Sequence, residues 1–328
     1  MALLEVEGLR MYYTTSAGEV KAVDGLNFNV EEGEILGIVG ESGCGKSSLA
    51  ITLLKLLPSN GIIKEGKIVI DGIDLIPMRD TDVRRKVRWT KIAMVPQGAM
   101  NSLNPVFKVG DQIAEAITSH SDVSKSDSRT RTEELLKLVG VDPSRGRHYP
   151  HEFSGGMKQR AMIAMSLALS PKVLIADEPT TALDVIVQAG IIRLLMSLRN
   201  DFGTSIILIS HDLALVAQMS DTTAIMYAGK FVEYGSSKDV YKSALHPYTL
   251  GLLGAFADIR KPKEALTSVP GSPPDLIEPP TGCRFHPRCP YAEEVCRTTE
   301  PPLLEAAKDH LVACHFWREI RTRRGGQV

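Results

Sequence analysis

The sequence predicts an α/β protein with a parallel sheet at its centre and smaller regions attached to it. Three short apolar runs support the sheet, because strands buried on both faces are continuously apolar. They lie at residues 35–39, 173–176 and 206–209. The first run is followed by a glycine-rich turn and then by an apolar helical stretch at 48–54. A strand, a glycine-rich turn and a helix in this order are typical of a phosphate-binding unit.

The composition is that of an ordinary globular protein. The chain has 328 residues, of which 43% are hydrophobic and 23% are charged, and its net charge is -1. This length suits one large domain plus a smaller one. The near-zero charge indicates neither nucleic acid nor acidic lipid as a partner, and we expect no binding to nucleic acid.

The first residues lack the basic and apolar segments of a secretory signal, and no run approaches the roughly 18 apolar residues of a membrane-spanning helix. We therefore expect a cytoplasmic protein, and any membrane role must come through a partner. Five cysteines in a reducing compartment do not normally form disulfides. Packing, metal binding and catalysis remain as their uses.

The turn after the first apolar run is GESGCGKS at residues 40–47. Its glycines let successive backbone N–H groups point at one anion, and the following helix adds its positive end. Lys46 is predicted to bind the β- and γ-phosphates of a nucleotide, and Ser47 to bind Mg²⁺. An incidental Lys-Ser pair in a glycine-rich turn is the alternative, but it does not explain the flanking strand and helix. The predicted nucleotide contacts of this segment are Gly40, Ser42, Gly43, Cys44, Gly45, Lys46, Ser47 and Ser48.

The segment before this turn, residues 3–35, alternates short apolar stretches with turn residues at 24–25 and 32–33. Such alternation predicts antiparallel strands. Tyr12 and Tyr13 are predicted to lie in the loop after the first strand. An aromatic ring there can stack on a purine, and the alternative is a half-buried ring that only packs.

Residues 66–72 and 92–96 are predicted strands, and Gln97 follows the second of them. Ligands bind at the carboxyl ends of strands in open α/β sheets, so we expect Gln97 to reach the metal or the attacking water. Residues from about 98 to 165 then change character. Helical periodicity at 110–118 and 131–139, separated by the polar stretch 119–128, predicts a helical insertion.

The later apolar runs also end in polar side chains. Asp177 and Glu178 end the run that begins at residue 173, and His211 follows the run that ends at residue 210. We expect Asp177 to hold Mg²⁺, Glu178 to polarise the attacking water and His211 to contact the γ-phosphate. The alternatives are a solvated pair of carboxylates and a structural imidazole.

Beyond residue 249 the pattern weakens, and the proline-rich stretch 269–280 predicts a linker. We place a domain boundary near residue 260, between a large domain (1–260) and an extension (261–328). The extension contains four cysteines with spacing C-x₅-C-x₆-C-x₁₇-C. Zinc sites usually have closer pairs, whereas iron–sulfur sites also use four cysteines and often a Cys-Pro step. An iron–sulfur cluster, zinc and metal-free packing all remain open for Cys283, Cys289, Cys296 and Cys314.

The sequence contains a second motif, FSGGMKQR at 153–160, in addition to the phosphate-binding turn and the strand that ends at Asp177. Together they resemble the ATP-binding-cassette (ABC) ATPases. The family's signature is usually Leu-Ser-Gly-Gly-Gln or its methionine variant, so Phe153 departs at one apolar position. The resemblance implies a P-loop ABC ATPase domain with an antiparallel β subdomain, a helical subdomain and a small Cys-containing C-terminal extension.

The resemblance also assigns roles to single residues. It implies that Tyr13 stacks on adenine, that Gln97 is the Q-loop residue, that Asp184 ends the D-loop and that His211 is the switch histidine. In the family, the signature of one subunit closes on the ATP bound by the phosphate loop of another. Ser154, Gly155 and Gly156 are the corresponding residues here. One copy of each motif implies that two ATPase subunits are needed for two sites.

A narrower resemblance rests on the segments at 40–43, 102–105, 246–249 and 282–290. They look like the ATPases of dipeptide and oligopeptide importers. This implies an ATP- and Mg²⁺-dependent subunit that drives solute uptake, held peripherally at the cytoplasmic face of the membrane. The implied partners are a second ABC ATPase subunit, usually a paralogue, two transmembrane permeases and an extracellular solute-binding protein. Similar tails are associated with a [4Fe–4S] cluster, which the four cysteines would hold.

Three other functions stay open at this level. Nickel, glutathione and some oligosaccharide importers share the same tail. Soluble cassette ATPases act in DNA repair or translation, but they usually carry tandem cassettes or long coiled-coil insertions. An iron–sulfur redox enzyme is a third alternative, although the cysteines lie outside the ATPase motifs and no electron-accepting cofactor site is visible.

Overall fold

A computed structural model describes residues 2–98, 101–254 and 269–325 of the chain, with side chains to residue 323. Its strands form two sheets. The strands are β1 (Leu4–Thr15), β2 (Gly18–Val30), β3 (Ile35–Val39), β4 (Gly61–Ile70), β5 (Ile73–Asp74), β6 (Ile92–Val95), β7 (Val173–Asp177), β8 (Ser205–Ser210), β9 (Thr222–Tyr227), β10 (Lys230–Ser236), β11 (Leu304–Ala307) and β12 (His310–Val312).

The helices follow the same chain order. They are α1 (Lys46–Leu53), α2 (Asp80–Lys86), α3 (Val109–Thr118), α4 (Lys125–Leu138), α5 (Gly155–Ser166), α6 (Val185–Phe202), α7 (Leu213–Met219), α8 (Ser237–Lys242), α9 (Pro247–Gly254), α10 (Glu294–Thr298) and α11 (Trp317–Gly325). In the described part of the chain, no helix is both long and apolar enough to span a bilayer.

The larger sheet has the strand order β11-β12-β10-β9-β3-β8-β7-β6. Strands β9, β3, β8, β7 and β6 are parallel, as the apolar runs predict. Alternate side chains of each central strand enter two different cores. Leu174 and Ala176 of β7 join the core with helices α3 to α6, whereas Val173 and Ile175 join the core with β1, β2 and α1. Burial on both faces explains why these strands are continuously apolar.

The smaller sheet is antiparallel, with the order β2-β1-β4-β5, and confirms the interpretation of residues 3–35. The prediction that Tyr12 and Tyr13 lie in a loop is wrong. Both lie within β1, where Tyr13 pairs with Val20 of β2 and Gly61 of β4. Register shifts after Val6 let the strand pass the polar Glu7-Gly8 step and continue, so the end of the apolar run does not mark the end of the strand.

The helical insertion is present but begins differently from the prediction. Helix α4 starts at Lys125, not at residue 131, so the last four residues of the polar stretch at 119–128 belong to the helix and residues 119–124 separate it from α3. Ser124 caps this helix, because its hydroxyl accepts the backbone N–H of Asp127 at 3.1 Å. A serine cap followed three residues later by a carboxylate is a local start signal.

The C-terminal segment packs against the large sheet. In the described residues, 269–285 contains no helix or strand, as the proline-rich composition predicts. The chain then adds β12 antiparallel to β10, and β11 to β12. The predicted boundary near residue 260 lies outside the described residues.

Candidate nucleotide-binding site

The turn between β3 and α1 is held in one conformation by its glycines and by a lysine. Gly45 has φ +110°, and a Cβ built on it would lie 2.0 Å from the carbonyl oxygen of Ala22, so only glycine fits. The ammonium of Lys46 donates to the carbonyl oxygens of Gly40 at 2.7 Å and Glu41 at 2.8 Å. Lys46 is 6% exposed. Its charge is therefore fixed under the turn.

A cavity of about 260 Å³ lies over this turn, and most of the predicted nucleotide contacts line it. Val20, Ala22 and Leu276 add apolar walls. Leu276 comes from the C-terminal segment and was not predicted. The predicted residues that line the cavity are Tyr13, Ser42, Gly43, Gly45, Lys46, Ser47, Ser48, Gln97 and Glu178.

Gly40 and Cys44 lie beneath the turn and do not line this cavity. A Cβ on Gly40 would lie 2.2 Å from the carbonyl oxygen of Met226 and 2.7 Å from the sulfur of Cys44. Burial raises the pKa of the Cys44 thiol, which keeps it neutral at neutral pH. Cys44 is therefore a small buried residue that packs beneath the tight turn.

Asp177, at the end of β7, is buried and incompletely paired. It is 1% exposed, and its Oδ1 atom has no hydrogen-bond partner among the described residues. Burial raises the pKa of Asp177, whereas hydrogen bonding to Ser47 opposes this rise. A buried carboxylate oxygen without a partner is costly. Asp177 and Ser47 supply the oxygen ligands that Mg²⁺ prefers, and binding of a divalent cation would provide the missing partner.

Glu178, the next residue, is held by three neighbours. Its carboxylate accepts from Nε2 of Gln97 at 3.1 Å and from the hydroxyl of Thr181 at 3.0 Å. His211 Nδ1 lies 3.1 Å from its other oxygen. Burial raises the pKa of Glu178, but the hydrogen bonds from His211 and Thr181 lower it overall. The group is therefore ionised at neutral pH, as a general base must be.

Tyr13 stands at the edge of the cavity. Its hydroxyl donates to the hydroxyl of Ser48 at 3.0 Å, and its ring packs partly against the core with β1 and β2. The ring is thus oriented by the helix that follows the phosphate turn. Both the stacking role and the packing role of Tyr13 agree with this position.

The predicted signature residues do not line this cavity. Ser154 is exposed and caps α5, because its hydroxyl accepts the backbone N–H of Met157 at 3.3 Å. Asp184 is exposed and caps α6 through the N–H of Val187 at 2.9 Å. A Cβ on Gly156 would lie 2.5 Å from Val187, so the two helix starts are neighbours. Ser154, Gly155, Gly156 and Asp184 therefore lie together on a separate surface.

The four cysteines of the extension carry free thiols that affect one another. Burial raises the pKa of Cys314 to about 12, and its three fellow cysteines add to the shift. Burial likewise raises the pKa of Cys283 to about 11, with smaller contributions from Cys296 and Cys289. Thiols are the type of ligand that iron–sulfur clusters use. Among the described residues, however, no group of three or more His, Cys, Asp or Glu is arranged to hold a metal ion.

Several residues near the cavity were missed by sequence reasoning. Thr181 bonds Glu178, and its place three residues after this carboxylate is the available signal. Glu41 lies within the phosphate turn, yet its side chain bonds Arg288 and its N–H bonds Tyr248. These partners lie more than 200 residues away in the sequence, so no local pattern reveals them.

Comparisons with known proteins agree with this geometry. Residues 23–181 match the family model described as ABC transporter, and residues 232–296 match the model described as oligopeptide/dipeptide transporter, C-terminal region. The chain is 46% identical to the oligopeptide transport ATP-binding protein OppD of Escherichia coli (strain K12), over 95% of this chain and 93% of that protein. It is 41% identical to the dipeptide transport ATP-binding protein DppD of Caldanaerobacter subterraneus, over 97% of this chain and 98% of that protein.

Solved structures of ABC ATPases also match the chain. The ATP-binding cassette MJ0796, solved as a dimer in a post-hydrolysis state bound to ADP and Pi, matches with a TM-score of 0.64 and 26% identity. The match covers 71% of this chain and 98% of that structure. The protein cbiO1 from Clostridium perfringens, part of an ABC transporter complex, matches with a TM-score of 0.63 and 29% identity, over 74% of this chain and 91% of that one. The predicted α/β cassette fold is confirmed.

Proposed function

The chain belongs to the ABC transporter family, and from this premise we propose that it is the ATP-hydrolysing subunit of an importer for oligopeptides or dipeptides. Relatives that cover more than nine-tenths of the chain are named for these two solutes. The C-terminal match, described by the same solutes, supports the same choice. The class of peptide is the finer part of the proposal, since nickel, glutathione and oligosaccharide importers remain alternatives.

The observation that carries the proposal is that Lys46 and Glu178 line one cavity although Lys46 follows β3 and Glu178 follows β7. Asp177, the residue before Glu178, is buried and bonds Ser47 of the same cavity. Lys46 and the N–H groups of the turn bind the β- and γ-phosphates. When bound by Ser47, Asp177 and Gln97, Mg²⁺ would neutralise charge on these phosphates. Glu178 is ionised and accepts the proton of the attacking water. Gln97 and His211 keep its carboxylate pointed into the cavity, and His211 also contacts the γ-phosphate.

A second ATPase subunit, usually a paralogue, completes the site in this proposal. Ser154 and Asp184 lie on an exposed surface away from the cavity, where a partner's nucleotide can reach them. Val185 and Ile186 beside them are 80% and 82% exposed, and such apolar exposure at one place supports a protein partner. The N-terminus of α5 favours a negatively charged ligand. The related cassette MJ0796 is described as dimeric.

The remaining partners are two permeases and an extracellular solute-binding protein. Val106 and Phe107, which follow Gln97 by about ten residues, are 70% and 55% exposed. Two exposed apolar side chains that follow Gln97 closely in the sequence support contact with a membrane partner and a peripheral position at the cytoplasmic face of the membrane. The number of permeases and the presence of the binding protein are proposals of the same kind.

We further propose that the four cysteines hold an iron–sulfur cluster of the [4Fe–4S] type. Four neighbouring thiols support it, although they do not form a ready-made metal site. Burial raises the pKa of Cys283, Cys289 and Cys314, so a cation must bind before these three thiols become thiolates at neutral pH. Anaerobically purified protein is then expected to be brown and to contain iron and sulfide. Colourless protein with one zinc per chain, or with no metal, would overturn the cluster.

To test the main proposal, the chain is co-expressed with the permease subunits of the same transporter. The complex is purified, placed in proteoliposomes and supplied with its binding protein and peptides. We expect peptides to stimulate ATP hydrolysis and to be taken up, and Lys46→Ala to abolish both. If nickel, glutathione or an oligosaccharide stimulates hydrolysis instead, that solute is the one transported. Co-purification with ribosomes or DNA without permeases would reject the proposal that the chain belongs to an importer.

A further inference from the structure

We propose that Arg288 of the C-terminal extension is a positioning residue for the phosphate turn. Its guanidinium makes a two-pronged ion pair with Glu41, at 2.6 Å from Nη1 to Oε2 and 2.9 Å from Nη2 to Oε1. The Arg288 side chain is 6% exposed and that of Glu41 is 26% exposed. Such paired, charge-assisted hydrogen bonds fix both distance and orientation.

Arg288 is itself firmly held, so it can act as an anchor. Its Nε donates to the carbonyl oxygen of Pro270 at 2.6 Å, and Nη1 donates to the hydroxyl of Tyr227 at 3.3 Å. Its charged carbon also lies 5.7 Å from the centre of the Tyr227 ring. Tyr227 ends β9, which is the neighbour of β3 in the sheet. The guanidinium thus joins the extension, the sheet and the phosphate turn.

Glu41 transmits this anchoring to the phosphate-binding charge. Its carbonyl oxygen accepts the ammonium of Lys46 at 2.8 Å. Its N–H donates to the hydroxyl of Tyr248 at 2.9 Å, and Tyr248 is fully buried. Side chain, N–H and carbonyl of this one residue are therefore all engaged. A change at Arg288 moves Glu41, and a change at Glu41 moves Lys46.

An aromatic cluster supports the same contact from below. The ring centres of Tyr227 and Tyr248 lie 4.6 Å apart, and Phe285 lies 5.2 Å and 5.4 Å from them. Phe285 is 2% exposed and stands between Cys283 and Cys289 in the sequence. The cysteine segment is therefore packed against the underside of the phosphate turn. Nucleotide affinity depends on this segment although none of its cysteines lines the cavity.

The inference rests on the proposed function, since it concerns how the turn binds the phosphates of ATP. The test measures the dissociation constant of a fluorescent ATP analogue with Mg²⁺ on the full-length chain. Arg288→Lys keeps the charge but loses the two-pronged geometry, and we expect affinity about 5-fold weaker. Arg288→Met loses both the charge and the geometry, and we expect affinity about 20-fold weaker, in line with the energy of a hydrogen bond to a charged group.

A double variant separates positioning from simple charge. If Arg288 only neutralises Glu41 near the phosphates, Arg288→Met with Glu41→Gln restores normal affinity and overturns the inference. If Arg288 positions the turn, the double variant stays weak. In the assembled transporter, Arg288→Lys is expected to raise KM for ATP and to leave kcat at saturating ATP nearly unchanged, because ground-state and transition-state binding fall together.

Arg199 provides a matched control at the other end of β3. Its Nε donates to the carbonyl oxygen of Gly33 and its Nη2 to Asp221, both at 2.9 Å. Arg199→Lys is expected to lower thermal stability about as much as Arg288→Lys without changing nucleotide affinity. Equal loss of affinity in both variants, or normal affinity in Arg288→Lys, would overturn the inference. Normal binding by Lys46→Ala would instead reject the nucleotide site itself.

Discussion

The phosphate-turn cavity and the surface around Ser154 are both assigned to ATP, yet they differ in how complete they are. Lys46 and Glu178 line the cavity, Asp177 precedes Glu178, and all three are mostly buried. Of these three residues, only Asp177 has a buried polar atom, Oδ1, without a hydrogen-bond partner among the described residues. Around Ser154, the polar side chains are exposed and serve as helix caps. The side chains of the first region are held in place by contacts within one chain. The helix starts of the second region are also fixed, but in the proposed function the nucleotide that they contact is bound by a second subunit. A change in the first region should therefore act within one chain, and a change in the second only between chains.

The largest expected effect concerns Glu178. Glu178→Gln keeps the shape of the side chain but removes the base, so turnover should fall about 10²- to 10⁴-fold while ATP binding is retained. Hydrolysis by the purified complex and equilibrium binding of ATP measure the two quantities. Glu152, whose carboxylate lies 2.8 Å from His148 in an exposed pair, is a matched control, and Glu152→Gln should hydrolyse ATP normally. Near-normal turnover in Glu178→Gln would remove Glu178 from the role of base.

The second effect tests the exposed surface. Ser154→Arg places a bulky cation where the partner's nucleotide would approach, and overpacking of this kind costs about 10- to 100-fold in turnover. The isolated subunit should bind ATP as before, because Ser154 does not line its cavity. Ser154→Ala, which loses the cap but adds no bulk, serves as the control. Weakened ATP binding by the isolated Ser154→Arg subunit would show that Ser154 affects the nucleotide site of its own chain, contrary to the separation of the two regions.

The third effect lies at the edge of the cavity. Tyr13→Ala removes a ring that can stack on adenine, and affinity for ATP should fall about 10-fold, as for base stacking on aromatic side chains. Tyr13→Phe removes only the 3.0 Å bond to Ser48 and should bind within about twofold of the original chain. Unchanged affinity in Tyr13→Ala, with lowered thermal stability, would assign the ring to packing.

The cavity was largely predictable from the sequence because its features are local. Apolar runs mark the buried strands β3, β6, β7 and β8, and the catalytic candidates Gln97, Glu178 and His211 lie just after the ends of such runs. Glycines mark the turn to which we assign phosphate binding, since Gly45 lies where no other residue fits. Parallel strands bring their carboxyl ends to one edge of a sheet, so Lys46, Asp177 and Glu178 converge without further information.

Non-local features were not predictable. Strand β12 pairs with β10 from more than 70 residues away, as Tyr234 with Leu311 illustrates, and β11 pairs with β12. The sequence of β11 and β12 has no clear alternation. The pair of Arg288 and Glu41 spans 247 residues. Tyr12 and Tyr13 were misplaced because a register shift carries β1 past a polar step. For β12 and for Arg288, the partner that fixes the residue lies far away in the chain, whereas the register shift that misplaced Tyr12 and Tyr13 lies within the local β1–β2 hairpin.

The smallest expected effect joins the cysteine segment to the cavity. Cys289 follows Arg288 directly, whereas Cys314 lies beyond β12. If the four thiols hold one cluster, Cys289→Ser and Cys314→Ser should both lose iron. If the cysteine segment also positions Arg288, only Cys289→Ser should weaken ATP binding clearly, by about 2- to 5-fold, as expected for coupling between neighbouring residues. Iron content and ATP affinity are measured on the same anaerobic samples. Unchanged ATP affinity in both variants would show that the cysteines affect only the structure of the extension. Equal weakening in both variants would indicate that the whole extension has loosened, and not that Cys289 acts through Arg288.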